Sequence, residues 1–327
     1  MRIRKRHQDD GDLFDTKPEF VRRYAEKLRA LADNGVWFGT SSWVYTGWRG
    51  LVYPSSVTSE TMLRKIAFRE YSQVFPTGCA DWSFYSFPSE SQIAKFEREA
   101  PEGFRLAFKA TDLVTLYRYP SLKQRWGEKA GTINEDFLNT AKFIEFFVER
   151  VARLGDRLGP IILEFSPLTW NGLTPEKFLD RLDRFLAGLP QNLRFAVEVR
   201  NPELLTQEYL DCLRKRNVAH VLNSWTRMPS IGEQMNIPHV ETADFTVVRA
   251  LLKPGRTYQQ AVERFQPYTK IQEIDEDTRS ALKTLAQKAL AARKQTYLYV
   301  NNRLEGNAPL TIGAMVDQLD FSGNEKL

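Results

Sequence analysis

Six charged side chains close apolar runs in this chain: Asp81, Lys109, Glu164, Glu198, Arg200 and Arg249. The clearest case is 193–200, Leu-Arg-Phe-Ala-Val-Glu-Val-Arg. In a strand the side chains alternate, so Ala196, Glu198 and Arg200 share one face while Phe195, Val197 and Val199 share the other. A face running small, acid, base suits the inside of a closed parallel barrel, where strand ends point up to a mouth. By the same alternation Arg105, Ala107 and Lys109 share a face, as do Ile162, Glu164 and Ser166.

The chemistry such residues support is proton transfer beside held charge. Glu198 is the expected general acid or base, its pKa set by Arg200 and Lys109. Lys109, Arg200 and Arg249 are suited to a phosphate or carboxylate, and Asn301 and Asn302 to hydroxyls. Asp81 and Asn223 close two further strands as ligand contacts. Glu164 with Glu198 would also serve glycoside hydrolysis if the two carboxyls lay about 5–10 Å apart. The competing explanation is a buried structural network in which three acids and three bases neutralise one another. A purely structural barrel would more readily fill those layers with Val, Ile and Leu.

Aromatic residues crowd the loops after the first two strands. Trp43, Tyr45, Trp48 and Tyr53 follow one, and Trp82, Phe84 and Tyr85 the other. Stacking on a sugar or base would use Trp43, Tyr45 and Tyr85, whereas Tyr53 and Phe84 read as core. No metal or cofactor is expected. The three histidines, His7, His220 and His239, do not converge with carboxylates, and no phosphate loop or nucleophile elbow is present. Cys79 and Cys212 make no disulfide framework, and Cys79 reads as a small core residue.

Strands are expected at 36–40, within 77–82, and at 104–110, 160–165, 193–199, 219–222, 245–251 and 296–300. Helices are expected at 18–34, 59–72, 89–99, 134–154, 174–189, 203–216, 276–293 and 311–319, with Ser89 and Asn134 as N-caps and Thr174-Pro175 opening its helix. This alternation predicts a single (β/α)8 TIM barrel over 17–320, with an N-terminal helical extension and long loops after strands three and seven. Residues 1–16 and 321–327 read as flexible tails. The 253–275 segment is longer than an ordinary connection, which suggests a lid or insertion.

Composition narrows the partners. The net charge of +5 invites nucleic acid, but the basic residues interleave with acids, as in Lys95-Phe96-Glu97-Arg98-Glu99, the pattern of a solvated helix face. There is no apolar run of about 18 residues for a membrane span, and the charged opening residues do not read as a secretory signal. The expectation is a cytoplasmic barrel acting on a small anionic or sugar-like molecule by hydrolase- or isomerase-like chemistry. A non-catalytic ligand- or nucleic-acid-binding barrel is the alternative.

Several stretches together resemble the YecE-like domain-of-unknown-function family. They are Gly39-Thr40-Ser41-Ser42-Trp43-Val44-Tyr45 with Trp48 and Tyr53-Pro54, Ser83-Phe84-Tyr85 with Pro88-Ser89, 104–110, 158–163, 195–200, and 299–302 before Ala308-Pro309. The resemblance implies a TIM barrel and supplies no reaction. Lys109, Glu198, Arg200, Arg249 and Asn301-Asn302 match the family pattern. Ser42 stands for a Gly, Cys79 and Asp81 for a Glu and an Asn, and Leu116 for a His. Glu164 stands for a Gln, Asn201 for a His and Asn223 for an Asp. These departures imply a divergent branch whose ancestral chemistry is changed or lost.

Overall fold

The computed structural model describes residues 17–319, so the two expected tails lie outside it. Eight parallel strands close in sequence order: β1 Val36–Thr40, β2 Thr77–Ala80, β3 Arg105–Lys109, β4 Leu158–Phe165, β5 Phe195–Val199, β6 Ala219–Ser224, β7 Phe245–Ala250 and β8 Gln295–Val300. The predicted (β/α)8 barrel is therefore present. One set of alternating residues, including Phe38, Phe108, Leu163, Val197, Leu222, Val248 and Leu298, packs outward under the helices. The other fills the bore, where Cys79, Ala107, Ala196 and Ala219 leave room for Trp37, Tyr297 and Tyr299. Small side chains opposite large ones let the interior reach the close packing a core requires.

The helices start where their caps say. Ser59 accepts from the backbone of Met62 to open Glu60–Ser72, and Ser89 with Gln92 forms a capping box for Glu90–Glu99. The Thr174 and Thr206 hydroxyls accept from the Lys177 and Tyr209 backbone N–H groups to open Pro175–Ala187 and Gln207–Arg214. The first helix, Glu19–Asp33, buries Phe20, Tyr24, Leu28 and Leu31 against β1 and against the last helix, Ala308–Val316. Asp317 ties that pairing by accepting from Arg23, Lys27 and the Tyr24 hydroxyl.

One expected helix is shorter than its pattern. Residues 134–154 were expected to be continuous, but helical structure begins at Thr140 behind Asn139, whose side chain accepts from Lys142 N. Leu138 adopts a left-handed backbone, φ 57°, which no helix tolerates in its interior. Asn134 is not a cap. Its amide donates to the Leu113 and Leu116 carbonyls and accepts from the Tyr119 hydroxyl, stapling the long loop after β3.

The 253–275 segment is built rather than bare. It carries the helix Tyr258–Phe265 and presses on the turn after β1, where a side chain at Gly47 would drive into the carbonyls of Pro267 and Tyr268. Asn307 donates to the Tyr268 carbonyl from the other side at 2.8 Å. The segment is thereby fixed beside the carboxyl ends of β1 and β8.

Candidate active site at the barrel mouth

Each inward strand end delivers a polar group to one layer. Glu164 and Glu198 are register partners on β4 and β5, as Asn223 and Arg249 are on β6 and β7. Glu164 Oε2 accepts from Lys109 Nζ at 2.5 Å, from Arg200 Nη2 at 2.7 Å and from Arg249 Nη1 at 3.4 Å. Glu198 accepts from Arg200 at 3.0 Å on one oxygen and from Arg249 at 2.6 Å on the other. Arg249 Nη2 reaches both oxygens of Asp81, at 2.7 and 2.9 Å, and the Cys79 thiol lies 3.2 Å from Asp81 Oδ1. Three carboxylates and three cations thus alternate in a closed, balanced cluster.

The cluster sets its own ionisation. Burial pushes the Glu164 carboxyl up, but Arg200, Lys109 and Arg249 together outweigh it and hold the group at about 2. Burial pushes the Cys79 thiol well above its ordinary range, so Cys79 is a protonated core residue rather than a nucleophile. Aromatic faces close over two of the cations. Lys109 Nζ sits 3.7 Å from the centre of the Phe84 ring, and the Arg200 guanidinium 3.6 Å from that of Trp225.

A cavity of about 370 Å³ opens above this layer. Of the residues singled out by sequence, Tyr45, Asp81, Tyr85, Lys109, Glu164, Arg200, Arg249 and Asn301 line it. Glu198 does not. Fully buried, it lies below the wall under Arg200 and Arg249, and its carboxylate holds both guanidinium groups. Asp81, by contrast, keeps 27% of its side chain exposed.

Three residues expected at the ligand are elsewhere. Trp43 is core, packed on Phe68, Tyr71 and Phe96. Asn302 faces outward, where its Oδ1 accepts from Trp48 Nε1 and Ala308 N. Asn223 is fully buried, and its amide donates to the Val199 carbonyl. Alternation explains Asn301 and Asn302, since adjacent residues at a strand end cannot both point inward.

Other wall residues were missed: Ser42, Trp225, Tyr258 and Arg303. Ser42 and Arg303 directly follow residues already read as strand ends. Trp225 lies two past Asn223, and Tyr258 is announced only by the capping box Thr257–Gln260 at the head of its helix.

The carboxylate pair is not arranged for glycoside hydrolysis. Both bond Arg200 Nη2, so the bonded oxygens lie no more than about 6 Å apart, short of the separation an inverting pair needs. The guanidinium fills the space between them, and Glu164 is held ionised where a general acid needs a raised pKa. No group of three or more His, Cys, Asp and Glu side chains among the described residues is placed to hold a metal ion. His220 faces away from the bore, its Nδ1 3.1 Å from the Tyr209 hydroxyl, and burial lowers it to about 4. Three larger hollows open elsewhere, two of about 510 Å³ along Arg29, Phe75 and Phe104 and along Trp37, Arg105 and Gln295, and one of about 680 Å³ along Lys253, Arg256 and Arg264, and none gathers such a cluster.

The family model described as "Protein of unknown function DUF72" matches residues 37–326. The chain belongs to this family. The resemblance read from the sequence is thereby borne out. A crystal structure of a DUF72 protein from Enterococcus faecalis V583 superposes with a TM-score of 0.60 at 15% identity, covering 89% of this chain and 99% of that one. A DUF72 protein from Thermotoga maritima MSB8 gives 0.55 at 18%, covering 86% and 99%. At these identities the DUF72 structures speak for the barrel alone. Among curated proteins no relative matches. No helix among the described residues is long and apolar enough to cross a membrane.

Proposed function

We propose that this DUF72 protein is an acid–base enzyme acting on a small, hydroxylated ligand in the mouth cavity. The observation that carries the reading is the balanced layer of six charges, all but Asp81 buried, at the floor of an open cavity. Removing an ion from water costs several kcal/mol even after relaxation, and apolar side chains of similar size would hold a barrel equally well. A fixed set of dipoles and charges facing an open pocket is what transition-state stabilisation requires.

Roles follow from reach. Asp81 is the carboxylate a ligand meets, with both oxygens oriented by Arg249, and serves as the base. Lys109 and Arg200 face the cavity and stabilise negative charge as it develops. Glu164 remains an anion and keeps these cations aligned. Glu198 is a positioning residue beneath them.

A thermal-shift screen of phosphosugars, nucleotides, short oligosaccharides and single-stranded nucleic acid tests this with wild type and Asp81→Asn. At about 100 times its dissociation constant a ligand stabilises by roughly 2.7 kcal/mol, a readable shift. One small-molecule class is expected to protect both proteins, while turnover of that class is lost in Asp81→Asn. Protection by single-stranded nucleic acid alone, equal in both, would favour a surface binder and sink the enzyme.

A further inference from the structure

The positive charges around the mouth cavity are not equivalent. Lys109, Arg200 and Arg249 are each committed to carboxylates at 2.5 to 2.7 Å, so an incoming anion meets no net charge from that layer. Arg303 differs. It follows β8 by three residues, lines the same cavity, and forms no ion pair among the described residues. Its Nε is buried without a partner. Its guanidinium lies 4.6 Å from the centre of the Tyr258 ring, close to the uncharged phenols of Tyr45 and Tyr268. Asn301 Oδ1 accepts from the Arg303 backbone N–H at 3.0 Å and fixes where the side chain departs.

A guanidinium held partly out of water without a carboxylate is an unfinished arrangement, since charges withdrawn from water need a partner. A second feature points the same way. The 253–275 segment that supplies Tyr258 sets Lys253, Arg256 and Arg264 around Glu273, and counting Lys270, Glu263 and Asp275 it carries one positive charge in excess. Such a field raises the local concentration of anions.

We propose that Arg303 anchors an anionic group of the ligand, a phosphate or carboxylate, so that the ligand class is a small hydroxylated anion and not a neutral sugar. The inference rests on the mouth cavity being the ligand site. With the anion on Arg303 against Tyr258, the rest of the molecule extends toward Asp81, Lys109 and Arg200. The planar fork of Arg303 suits two parallel hydrogen bonds to such a group.

Calorimetric titration with inorganic phosphate, malonate and the matched pair glycerol phosphate and glycerol provides the test. The proteins are wild type, Arg303→Gln, Arg303→Lys and Asp81→Asn. Glycerol phosphate is expected to bind wild type well ahead of glycerol, to weaken about tenfold or more in Arg303→Gln, to recover partly in Arg303→Lys, and to hold or tighten in Asp81→Asn. Preference between phosphate and malonate identifies the anion. Unchanged anion affinity in Arg303→Gln overturns the inference, and so does binding of glycerol with no anion binding, although the mouth then stands as the ligand site. Failure of every small molecule removes both. Arg303→Lys keeps the charge, so a folding defect confined to Arg303→Gln leaves the comparison readable.

Discussion

Replacing Glu164 by Gln removes the buried carboxylate that Lys109, Arg200 and Arg249 share. Its carboxyl is lowered from 4.5 to about 2 in the folded protein. Because the unfolded chain takes up the proton at higher pH, this carboxylate stabilises the fold fully above about 4.5, and the contribution vanishes as pH falls towards 2. At about 1.4 kcal/mol per pKa unit the contribution at neutral pH is about 3 kcal/mol. That agrees with the roughly 3–5 kcal/mol seen when one partner of a buried ion pair is deleted. Urea unfolding of wild type and Glu164→Gln from pH 7 to pH 3 measures it. The difference should be about 3 kcal/mol at pH 7 and shrink steadily below about pH 5, with the melting temperature of the variant several degrees lower at neutral pH. A gap that stays constant with pH, or a variant as stable as wild type at pH 7, would refute the argument that these cations hold Glu164 ionised.

Three other outcomes follow from the same physics. Gly39→Ala would push a methyl group into the Thr77 carbonyl across the β1–β2 seam, where backbone cannot give way, so soluble yield should collapse. Tyr71→Phe strips the hydroxyl that accepts from Thr40 N and donates to the Thr77 carbonyl, both buried, and should cost about 1–3 kcal/mol in urea unfolding without changing the denaturant slope. Burial raises both thiols, Cys79 well above its usual range and Cys212 to about 11, so iodoacetamide at pH 8 should label neither in the native protein and both in urea, as mass spectrometry would read.

The fold was legible because its signals are local and repeated. Strand-length apolar runs alternate with amphipathic helices, and Ser89 and Thr174 mark helix starts in the residues themselves. The exception, 134–154, shows the limit. Its apolar spacing is helical throughout, but Asn134 gains more from bridging Leu113, Leu116 and Tyr119 than from capping, and that choice depends on a loop twenty residues earlier.

For the site, alternation tells which way a side chain points and nothing about its height. Glu198 and Arg200 both point inward, yet they differ by about 6–7 Å along the strand. Arg200 folds back over Glu198, and Arg249 crosses from β7 to cover its other oxygen. Glu164, the register partner of Glu198, lines the cavity, but the same two arginines and Lys109 leave it 3% exposed. Asp81, directly after β2 and paired with Arg249 from nearly across the bore, is the most accessible of the three carboxylates. Which acid meets a ligand is decided by how long arginine side chains from distant strands lie, a packing outcome absent from the pattern of any one strand. The reactive candidate is therefore the carboxylate that the arginines orient without covering, which is Asp81.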